Sequence, residues 1–463
     1  MPESPPYQPP AHGFRTFLIV WVTQSISVFG TALTFFSITI WLTLSLYPNP
    51  DQKPLLAGAL SATALVWGLA NVFLAPIAGA WADRHDRKRT MLAMDFVSGC
   101  LSAALAALIV AHLLQLWILL ILLGLSAAVS AFHYSAFDTS YAMIVPADKL
   151  PRANGMMQTI YALSGILSPA VAATLIAVPA MARQGVIGGG VGALLGRLSD
   201  GAPLAIGIDA VTFFLAAATL LFLFIPSPRR ADLQASDGGK RKSLWADILE
   251  GGRYIWQRRP LLWLLGTFTI ANLTSAAFVI QPLLVKYNLA ADWGRRGFTY
   301  ETALALLTSV AGMGGLAGGV FISAWGGLKK RRVYGVVLPL LLVGLAMVVF
   351  GLSPWLFLAA GAVAVADFLN PMLNAHSQAI WQIQTPRELQ GRVFSVRRLI
   401  AQCSAPLGTL LAGVFGGLFN PGWVMAGMGA LLAAFCLAQM FNPYLLRVED
   451  KAYLDGLAES SNR

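Results

Sequence analysis

Carboxylates inside long apolar stretches are the residues of this sequence with the clearest potential for chemistry. Asp367 lies thirteen residues after Pro354, and Asp138 lies eight residues before Pro146. In an α-helix these spacings correspond to about 20 Å and about 12 Å along the axis. A carboxylate at such depth in apolar surroundings is costly to keep charged, so each is a candidate for proton uptake and release, with Asp367 first and Asp138 second. The alternative is a structural carboxylate that a neighbouring Asn or His satisfies.

Three further acids lie near the predicted beginnings of helices. Asp95 and Asp209 fall in the first two turns of their predicted helices, and Glu301 begins another. The positive end of the helix dipole favours a carboxylate at these positions. We therefore expect structural roles for all three.

The same stretches carry polar and aromatic side chains that can line a binding cavity. His133 and His376 can share a proton with the acids, although a lone histidine in a helix is more often a hydrogen-bonding core residue. The remaining predicted cavity residues are amides and aromatics: Gln24, Tyr134, Tyr161, Asn272, Phe278, Gln281, Phe368, Asn370 and Asn374. Aromatic surface suits an amphiphilic organic molecule better than a sugar or an inorganic ion, but these rings can equally serve ordinary helix packing.

Gln24 belongs to a polar face of the first apolar stretch. Ser25, Ser27, Thr31 and Thr34 follow it at intervals that bring them to one side of a helix. Such a face contacts either other helices, through hydrogen bonds, or a substrate.

A dense charged segment, Gly79 to Arg89, separates two long apolar stretches. Charged residues make up only 11% of the chain. The segment therefore predicts a short loop that joins two membrane helices and stays at the water interface.

Apolar stretches of this kind are the elements that must position all these residues. Hydrophobic residues make up 57% of the chain. A helix needs about 20 residues to cross the hydrocarbon core of a membrane. Twelve stretches meet this length, and we predict an all-α integral membrane protein with twelve transmembrane helices near 15–45, 56–81, 90–111, 115–145, 153–179, 203–226, 260–286, 301–325, 333–352, 355–384, 391–418 and 422–446.

The basic residues indicate how the chain is oriented. The net charge is +11, and most Lys and Arg residues fall in the alternate loops that share a side with both termini. This asymmetry follows the positive-inside rule and predicts that both termini are cytoplasmic. It also makes the basic charge a feature of membrane topology, with some affinity for anionic lipid, and gives no reason to expect nucleic acid. The three cysteines lie in apolar stretches and suggest neither a disulfide framework nor a metal cluster.

An internal repeat divides the chain into halves. Shifting the first half by 237 residues places Pro169 on Pro406, each preceded by small residues four apart. We therefore predict a cytoplasmic tail (1–13), an N-terminal six-helix bundle (14–226), a cytoplasmic linker with an amphipathic helix (227–259), a C-terminal six-helix bundle (260–446) and a second cytoplasmic tail (447–463). Repeated halves of this kind are typical of transporters built as two lobes around a central site.

The charged segment resembles the best-known signature of the major facilitator superfamily, and the resemblance extends over essentially the whole chain. The matching residues are Gly79, Asp83, Arg84, Arg87 and Lys88, placed between the second and third of twelve spans. The resemblance implies the major facilitator fold, with two pseudo-symmetric six-helix bundles. It also implies that spans 1, 4, 7 and 10 line a central cavity.

A second element narrows the resemblance to one branch. Gly391 and Arg392 begin a Gly-Arg-Val-Phe-Ser sequence before the eleventh span, which is similar to the branch of macrolide-type drug efflux proteins and siderophore exporters. The resemblance implies that the charged segment is a gate latch, with Asp83 meeting Arg392 at the beginning of helix 11. The alternative is a positive loop that serves membrane topology alone.

These features together predict a secondary active exporter of hydrophobic or amphiphilic small molecules, such as a drug or a secreted metabolite. We expect alternating access with proton antiport, a monomer in the bacterial inner membrane, and small-molecule substrate, protons and membrane lipid as partners. The alternatives are a lipid or siderophore transporter of the same fold and a membrane scaffold or sensor that does not transport. The sequence contains no phosphate-binding loop of the Gly-xxxx-Gly-Lys-Ser/Thr type and no catalytic triad pattern, so we expect neither an enzyme nor a cofactor nor a metal.

Overall fold

The computed structural model describes residues 12–225 and 244–461 of the 463-residue chain. These residues fold into helices joined by short loops, with no strand among them. The predicted tail (1–13) and linker (227–259) therefore lie partly outside the described residues.

Twelve helices in the described ranges are long and apolar enough to cross a membrane, as predicted. We number them α1 to α12: Gly13–Trp41, Lys53–Arg84, Arg87–Val110, Leu116–Ile144, Leu150–Arg183, Ala202–Phe222, Arg259–Ser275, Tyr300–Trp325, Tyr334–Leu352, Leu356–Gln384, Gln390–Leu418 and Pro421–Gln439. Irregular helical turns extend α1 to Leu46 and α7 to Asn288. The predicted end of the last span at residue 446 is wrong, because α12 ends at Gln439 and Asn442 caps a separate short helix, Pro443–Leu446.

The described residues form two compact units. The first comprises 12–48 and 62–225, and the second comprises 49–61 and 244–461. The second unit therefore includes the first turns of α2.

In the first unit, the polar face of α1 is used for contacts between helices. The Ser27 hydroxyl donates to the carbonyl oxygen of Thr212 on α6, at 3.2 Å. The Thr34 hydroxyl donates to the carboxylate of Asp209, also on α6, at 2.8 Å. Since each polar group is satisfied by a neighbouring helix, this part of the face stabilises the bundle.

In the second unit, glycines bring α8 and α10 into close contact. A β-carbon at Gly314 would lie 2.3 Å from the carbonyl oxygen of Ala364, and one at Gly318 would lie 2.0 Å from that of Phe368. Any larger residue would push the two backbones apart. The close approach fixes the rotation of α10, the helix that carries Asp367.

A helix at Leu244–Trp256 precedes α7 and packs against α11. The hydroxyl of Tyr254 donates to the carbonyl oxygen of Gln384 at 2.6 Å, and Arg392 forms an ion pair with Glu250 at 2.8 Å. Burial raises the pKa of the Tyr254 phenol, so the hydroxyl keeps the proton it donates. The predicted position of this helix on the membrane surface stays a prediction.

Asp292 joins the loop before α8 to the beginning of α10. One carboxylate oxygen accepts from the backbone N–H of Leu356 and from Arg296 Nε, both at 2.9 Å. The Arg296 guanidinium, together with the Leu356 amide, holds the pKa of Asp292 below its usual value. Asp292 thus satisfies a backbone donor at the N-terminus of α10, where a negative charge is favourable.

We predict that Asp292→Ala lowers the thermal unfolding midpoint of the purified protein at pH 7. Because the folded-state pKa is lowered, the stabilisation by Asp292 is complete above about pH 4 and is lost as the pH falls through the folded-state pKa. The difference between wild type and variant should therefore shrink in acid. Glu301→Ala, in the first turn of α8, is the control and should have little effect at any pH. An Asp292→Ala difference that is constant from pH 7 to acid would contradict the assignment.

Candidate functional site

A cavity of about 680 Å³ lies within the second unit, between α7, α8, α9, α10 and α11. Six of the predicted site residues line it: Asn272, Phe278, Gln281, Asp367, Asn370 and Asn374. Its volume falls in the range of sites for drug-sized molecules.

Helix α10 supplies the polar wall of this cavity. Asp367, Asn370, Asn374 and Gln378 follow one another at spacings of three and four residues, which places them on one face of the helix. Asp367 lies near the middle of the 29-residue helix. This position agrees with the depth predicted from the sequence, about 20 Å along the helix.

The Asp367 carboxylate is half-buried and faces the cavity. Within the described ranges, no side chain or backbone group forms a hydrogen bond or an ion pair with it. The described residues therefore include no Asn or His that satisfies the Asp367 carboxylate, which was the predicted alternative. A carboxyl group in this setting is free to exchange a proton with the cavity.

The amides beside Asp367 are engaged with other partners. Asn272 donates through Nδ2 to the carbonyl oxygen of Ala401 at 3.0 Å and so joins α7 to α11. Asn374 donates through Nδ2 to the side-chain oxygen of Asn370 at 2.6 Å. These bonds hold the amides in place around the carboxylate.

Arg397 on α11 also lines the cavity, and sequence reasoning missed it. It donates to Gln378 Oε1 at 2.8 Å and to Ser377 Oγ at 3.3 Å. Its guanidinium carbon lies 5.2 Å from the ring centre of Trp381. The adjacent basic residues at 397 and 398, inside an apolar span, are the signal in the sequence that points to this position.

Two predicted residues of α10 lie outside the lining of this cavity. His376 is buried, and its Nε2 accepts the backbone N–H of Leu328 at 2.8 Å while Nδ1 donates to the carbonyl oxygen of Met372 at 2.7 Å. Both ring nitrogens are therefore engaged with backbone, which agrees with the expected alternative of a hydrogen-bonding core histidine and not with the sharing of a proton with an acid. The ring of Phe368 packs against Phe321, with the centres 5.6 Å apart.

In the first unit, the predicted residues Gln24 and His133 both contact Asp95. Gln24 Nε2 donates to one carboxylate oxygen of Asp95 at 2.9 Å, and His133 Nε2 lies 3.0 Å from the other. The expected role of Asp95 at the helix N-terminus is wrong, because α3 begins at Arg87 and the partners of this fully buried carboxylate are side chains of α1 and α4. The acid in contact with His133 is therefore Asp95, and a role of His133 with Asp138 stays a prediction.

The other predicted residues of the first unit lie on α4 and α5. Asp138 is exposed, and Tyr161 keeps 43% of its surface exposed. The ring of Tyr134 packs edge-on against His133, with the centres 5.9 Å apart. None of these three residues lines the 680 Å³ cavity. Their contact with a substrate stays a prediction.

The charged segment ends α2 and begins α3, and two of its basic residues bind helix ends. Arg87 is buried and donates to the carbonyl oxygens of Ala82 at 3.3 Å and Thr139 at 3.0 Å, near the C-terminal ends of α2 and α4. Lys88 donates to the carbonyl oxygen of Leu221 at the end of α6, at 3.1 Å. The carbonyls of Ala82 and Leu221 lie in the last turns of α2 and α6, where they have no partner within their own helix, so these basic groups satisfy them and interact favourably with the helix dipole.

The remaining residues of the predicted gate are exposed or paired elsewhere. Gly79 is half-buried, and Asp83 and Arg84 are exposed, as is Gly391 at the beginning of α11. Arg392 pairs with Glu250, as described above. The proposed contact of Asp83 with Arg392 stays a prediction.

Comparison with known sequences identifies a family and several relatives. The Major Facilitator Superfamily profile matches residues 20–409. Macrolide efflux protein A of Streptococcus pyogenes is 24% identical over 402 residues, which cover 86% of this chain and 89% of that protein. Multidrug efflux pump Tap of Mycobacterium bovis is 26% identical over 416 residues, which cover 86% of each.

Solved structures with the same arrangement of helices are more distant in sequence. A bacterial homologue of the human lysosomal transporter Spinster, in an inward-facing and unoccupied conformation, has a TM-score of 0.62 at 16% identity and covers 98% of this chain and 96% of its own. The POT family transporter PepTSo has a TM-score of 0.62 at 13% identity and covers 94% of this chain and 99% of its own. At these identities the likeness concerns the fold alone.

We predict that Arg87→Ala lowers the free energy of unfolding in detergent micelles by about 2 kcal/mol, because a buried cation that binds two backbone carbonyls is lost. Arg89→Ala is the matched control, since Arg89 belongs to the same segment and its side chain is exposed. Titration of both variants with a denaturing detergent measures the difference. Equal destabilisation by the two substitutions would show that Arg87 has no special structural role.

Proposed function

Because the chain belongs to the major facilitator superfamily and is therefore a multi-pass membrane transporter of small molecules, we propose that it exports hydrophobic or amphiphilic compounds in exchange for protons. The compounds are drugs or secreted metabolites, the membrane is the inner membrane of a bacterium, and the transport proceeds by alternating access. The observation that carries this proposal is the Asp367 carboxylate, which faces a cavity at mid-helix without a partner among the described residues.

Asp367 is the proposed coupling residue. A charged carboxylate within a membrane span is unfavourable unless it is paired or hydrated, so a change in the access of water to the cavity changes how readily the group holds a proton. Substrate and proton then compete for the same cavity: a protonated Asp367 releases the substrate, and a deprotonated one accepts it. Exchange of one for the other couples export to the proton gradient.

The lining of the cavity supports an amphiphilic substrate. Phe268, Phe278, Leu340 and Val343 supply apolar surface beside the amides of α10. A few polar groups in a mostly apolar cavity orient a ligand without demanding many hydrogen bonds from it. The relatives named for macrolide and multidrug efflux support the same class of substrate.

A second candidate substrate class is favoured by a specific observation. Arg397 and Arg398 both line the cavity, and neighbouring guanidinium groups suit an anionic headgroup. A lipid-like or siderophore-like acid would place its charge there and its apolar part against the aromatic residues. A scaffold that does not transport would use neither Asp367 nor these arginines.

We predict that proteoliposomes containing the purified protein accumulate erythromycin when a proton gradient is imposed, and that Asp367→Asn lowers this accumulation about tenfold. Exchange of erythromycin without a gradient should survive in part, because it does not require net proton movement, although Asn resembles the protonated carboxyl group, which binds substrate less well. Asp138→Asn tests the second choice for the coupling residue. Gradient-driven accumulation that is undiminished in Asp367→Asn would contradict its assignment, and loss in Asp138→Asn alone would move the role to Asp138.

We predict a different effect for Arg397→Gln. Binding of erythromycin should change little in this variant, because a neutral or cationic drug makes no charge-assisted contact with Arg397. If the cavity binds anionic lipids, binding of lysophosphatidylglycerol should weaken about tenfold, as expected for loss of such a contact. Thermal shift measured against both compounds distinguishes the two substrate classes, because a ligand of the folded state raises the unfolding midpoint. No shift in wild type with either compound, combined with no transport, would favour a non-transporting role.

A further inference from the structure

A histidine and an aspartate lie in contact inside the first unit. Neither residue takes part in the coupling proposed above for Asp367. His133 Nε2 on α4 is 3.0 Å from Asp95 Oδ1 on α3. Asp95 is fully buried, and His133 keeps 8% of its surface exposed. Both belong to membrane-spanning helices.

The contacts of Asp95 determine which atoms can carry protons. Gln24 Nε2 on α1 donates to Asp95 Oδ2 at 2.9 Å, so that oxygen accepts a hydrogen bond. Neither His133 Nε2 nor Asp95 Oδ1 has a hydrogen bond of good geometry among the described residues, although the two atoms lie 3.0 Å apart. At this distance two acceptors would repel each other, so the proton of a neutral His133 belongs on Nε2. Among the described residues, no hydrogen bond involves His133 Nδ1. The pair can therefore take up one proton at Nδ1 without breaking either existing contact.

This uptake changes the net charge of the pair. With Nδ1 unprotonated, the imidazole is neutral and the pair carries the single negative charge of Asp95. With Nδ1 protonated, an imidazolium faces a carboxylate and the net charge is zero. A buried site inside a membrane span responds strongly to such a change, because hydrocarbon solvates a net charge poorly.

Other titratable groups near the pair lie on three helices. Tyr134 on α4, next to His133, interacts electrostatically with Asp95, with Asp138 on its own helix, with Asp209 on α6 and with Tyr161 on α5. Asp138 also interacts electrostatically with His133. Apart from His133 itself, the groups that interact with Tyr134 and Asp138 in this way are acids and phenols.

Asp209 is a contrasting carboxylate in the same unit. It accepts hydrogen bonds from the hydroxyls of Thr34 and Ser102, both at 2.8 Å, and from that of Thr31 at 3.4 Å. All three donors are hydroxyl groups, which do not change their charge near neutral pH. Asp209 is therefore a structural acid, whereas Asp95 has a partner that can change its charge.

We propose that His133 and Asp95 form a proton-binding site of the first unit, which takes one proton at His133 Nδ1 from one side of the membrane and returns it on the other during each transport cycle. Gln24 is a positioning residue that holds the carboxylate toward the imidazole. The inference rests on the proposed proton-coupled export and adds a second proton site to the one at Asp367.

The test compares wild type, His133→Gln, Asp95→Asn and Asp209→Asn in proteoliposomes with radiolabelled erythromycin. Two rates are measured for each: accumulation driven by an imposed proton gradient, and exchange without a gradient between pH 5.5 and pH 8.5. We expect His133→Gln and Asp95→Asn to lose about tenfold in accumulation and to change the pH dependence of exchange, part of which remains through Asp367, while exchange itself continues. Asp209→Asn, normalised to folded protein, should keep both the accumulation and the pH dependence.

The outcomes separate the two proposals. If wild type shows no accumulation driven by protons, the proposed function fails, whatever the variants do. If wild type accumulates erythromycin and both His133→Gln and Asp95→Asn retain this accumulation and the pH dependence, the proton site is overturned and the proposed function survives. If Asp209→Asn loses coupling to the same extent, the effect is a general consequence of removing a buried acid, and the inference is again overturned.

A second measurement leaves the pair intact and does not depend on transport. The chain has five histidines, and the variant H12Q/H85Q/H112Q retains only His133 and His376. In membranes containing this variant with ¹⁵N-labelled histidine, solid-state NMR distinguishes neutral imidazole from imidazolium. We expect one ring to gain a proton between pH 8.5 and pH 5.5, and the other, whose two nitrogens bind backbone, to stay neutral. If neither ring gains a proton in this range, His133 is not a proton acceptor and the inference is overturned even if the single variants do not fold.

Discussion

Hydrocarbon offers no hydrogen bonds, so every polar group within a membrane span must find its partner in the protein, and this constraint governs the arrangement of both units. Asp209 is held by hydroxyls of α1 and α3, and Asp95 by Gln24 and His133. His376 gives both ring nitrogens to backbone. Asp367, by contrast, lies at mid-span and faces a cavity, and its carboxylate has no hydrogen bond or ion pair among the described residues. This contrast with Asp209 singles it out as a candidate for function.

The same constraint explains the charged segment between α2 and α3. Helices that end at the membrane surface leave carbonyl oxygens without partners. Arg87 and Lys88 supply donors for such carbonyls of α2 and α6, and Arg87 also binds a carbonyl oxygen of α4. The signature of the superfamily therefore has a structural role within the first unit, whatever part Asp83 has in a gate. A substitution in this segment that impairs transport needs a stability measurement before it is interpreted as a defect in gating.

The sequence predicted the positions of the spans correctly, but it did not predict which side chains within the spans contact each other. Length and hydropathy are local properties, so the twelve helices followed from them directly, and the depth of Asp367 followed from the helical rise. The partners of His133 and Asp95 depend on the rotation of three helices, which no local pattern specifies. Arg397 was missed for a different reason: it lies in a span whose beginning is basic, and its two polar partners on α10 are visible only once the helices are packed.

The sequence by itself determined the class of protein, the number of spans, the depth of Asp367 within its span and the family signature, because each of these depends on composition or on spacing along the chain. The tertiary structure decided which buried charges are satisfied and which are available. It paired Asp95 with His133 and left Asp367 facing a cavity. The physical reason is that hydrogen bonds and ion pairs act over about 3 Å, so their presence depends on how helices distant in sequence approach and rotate against one another.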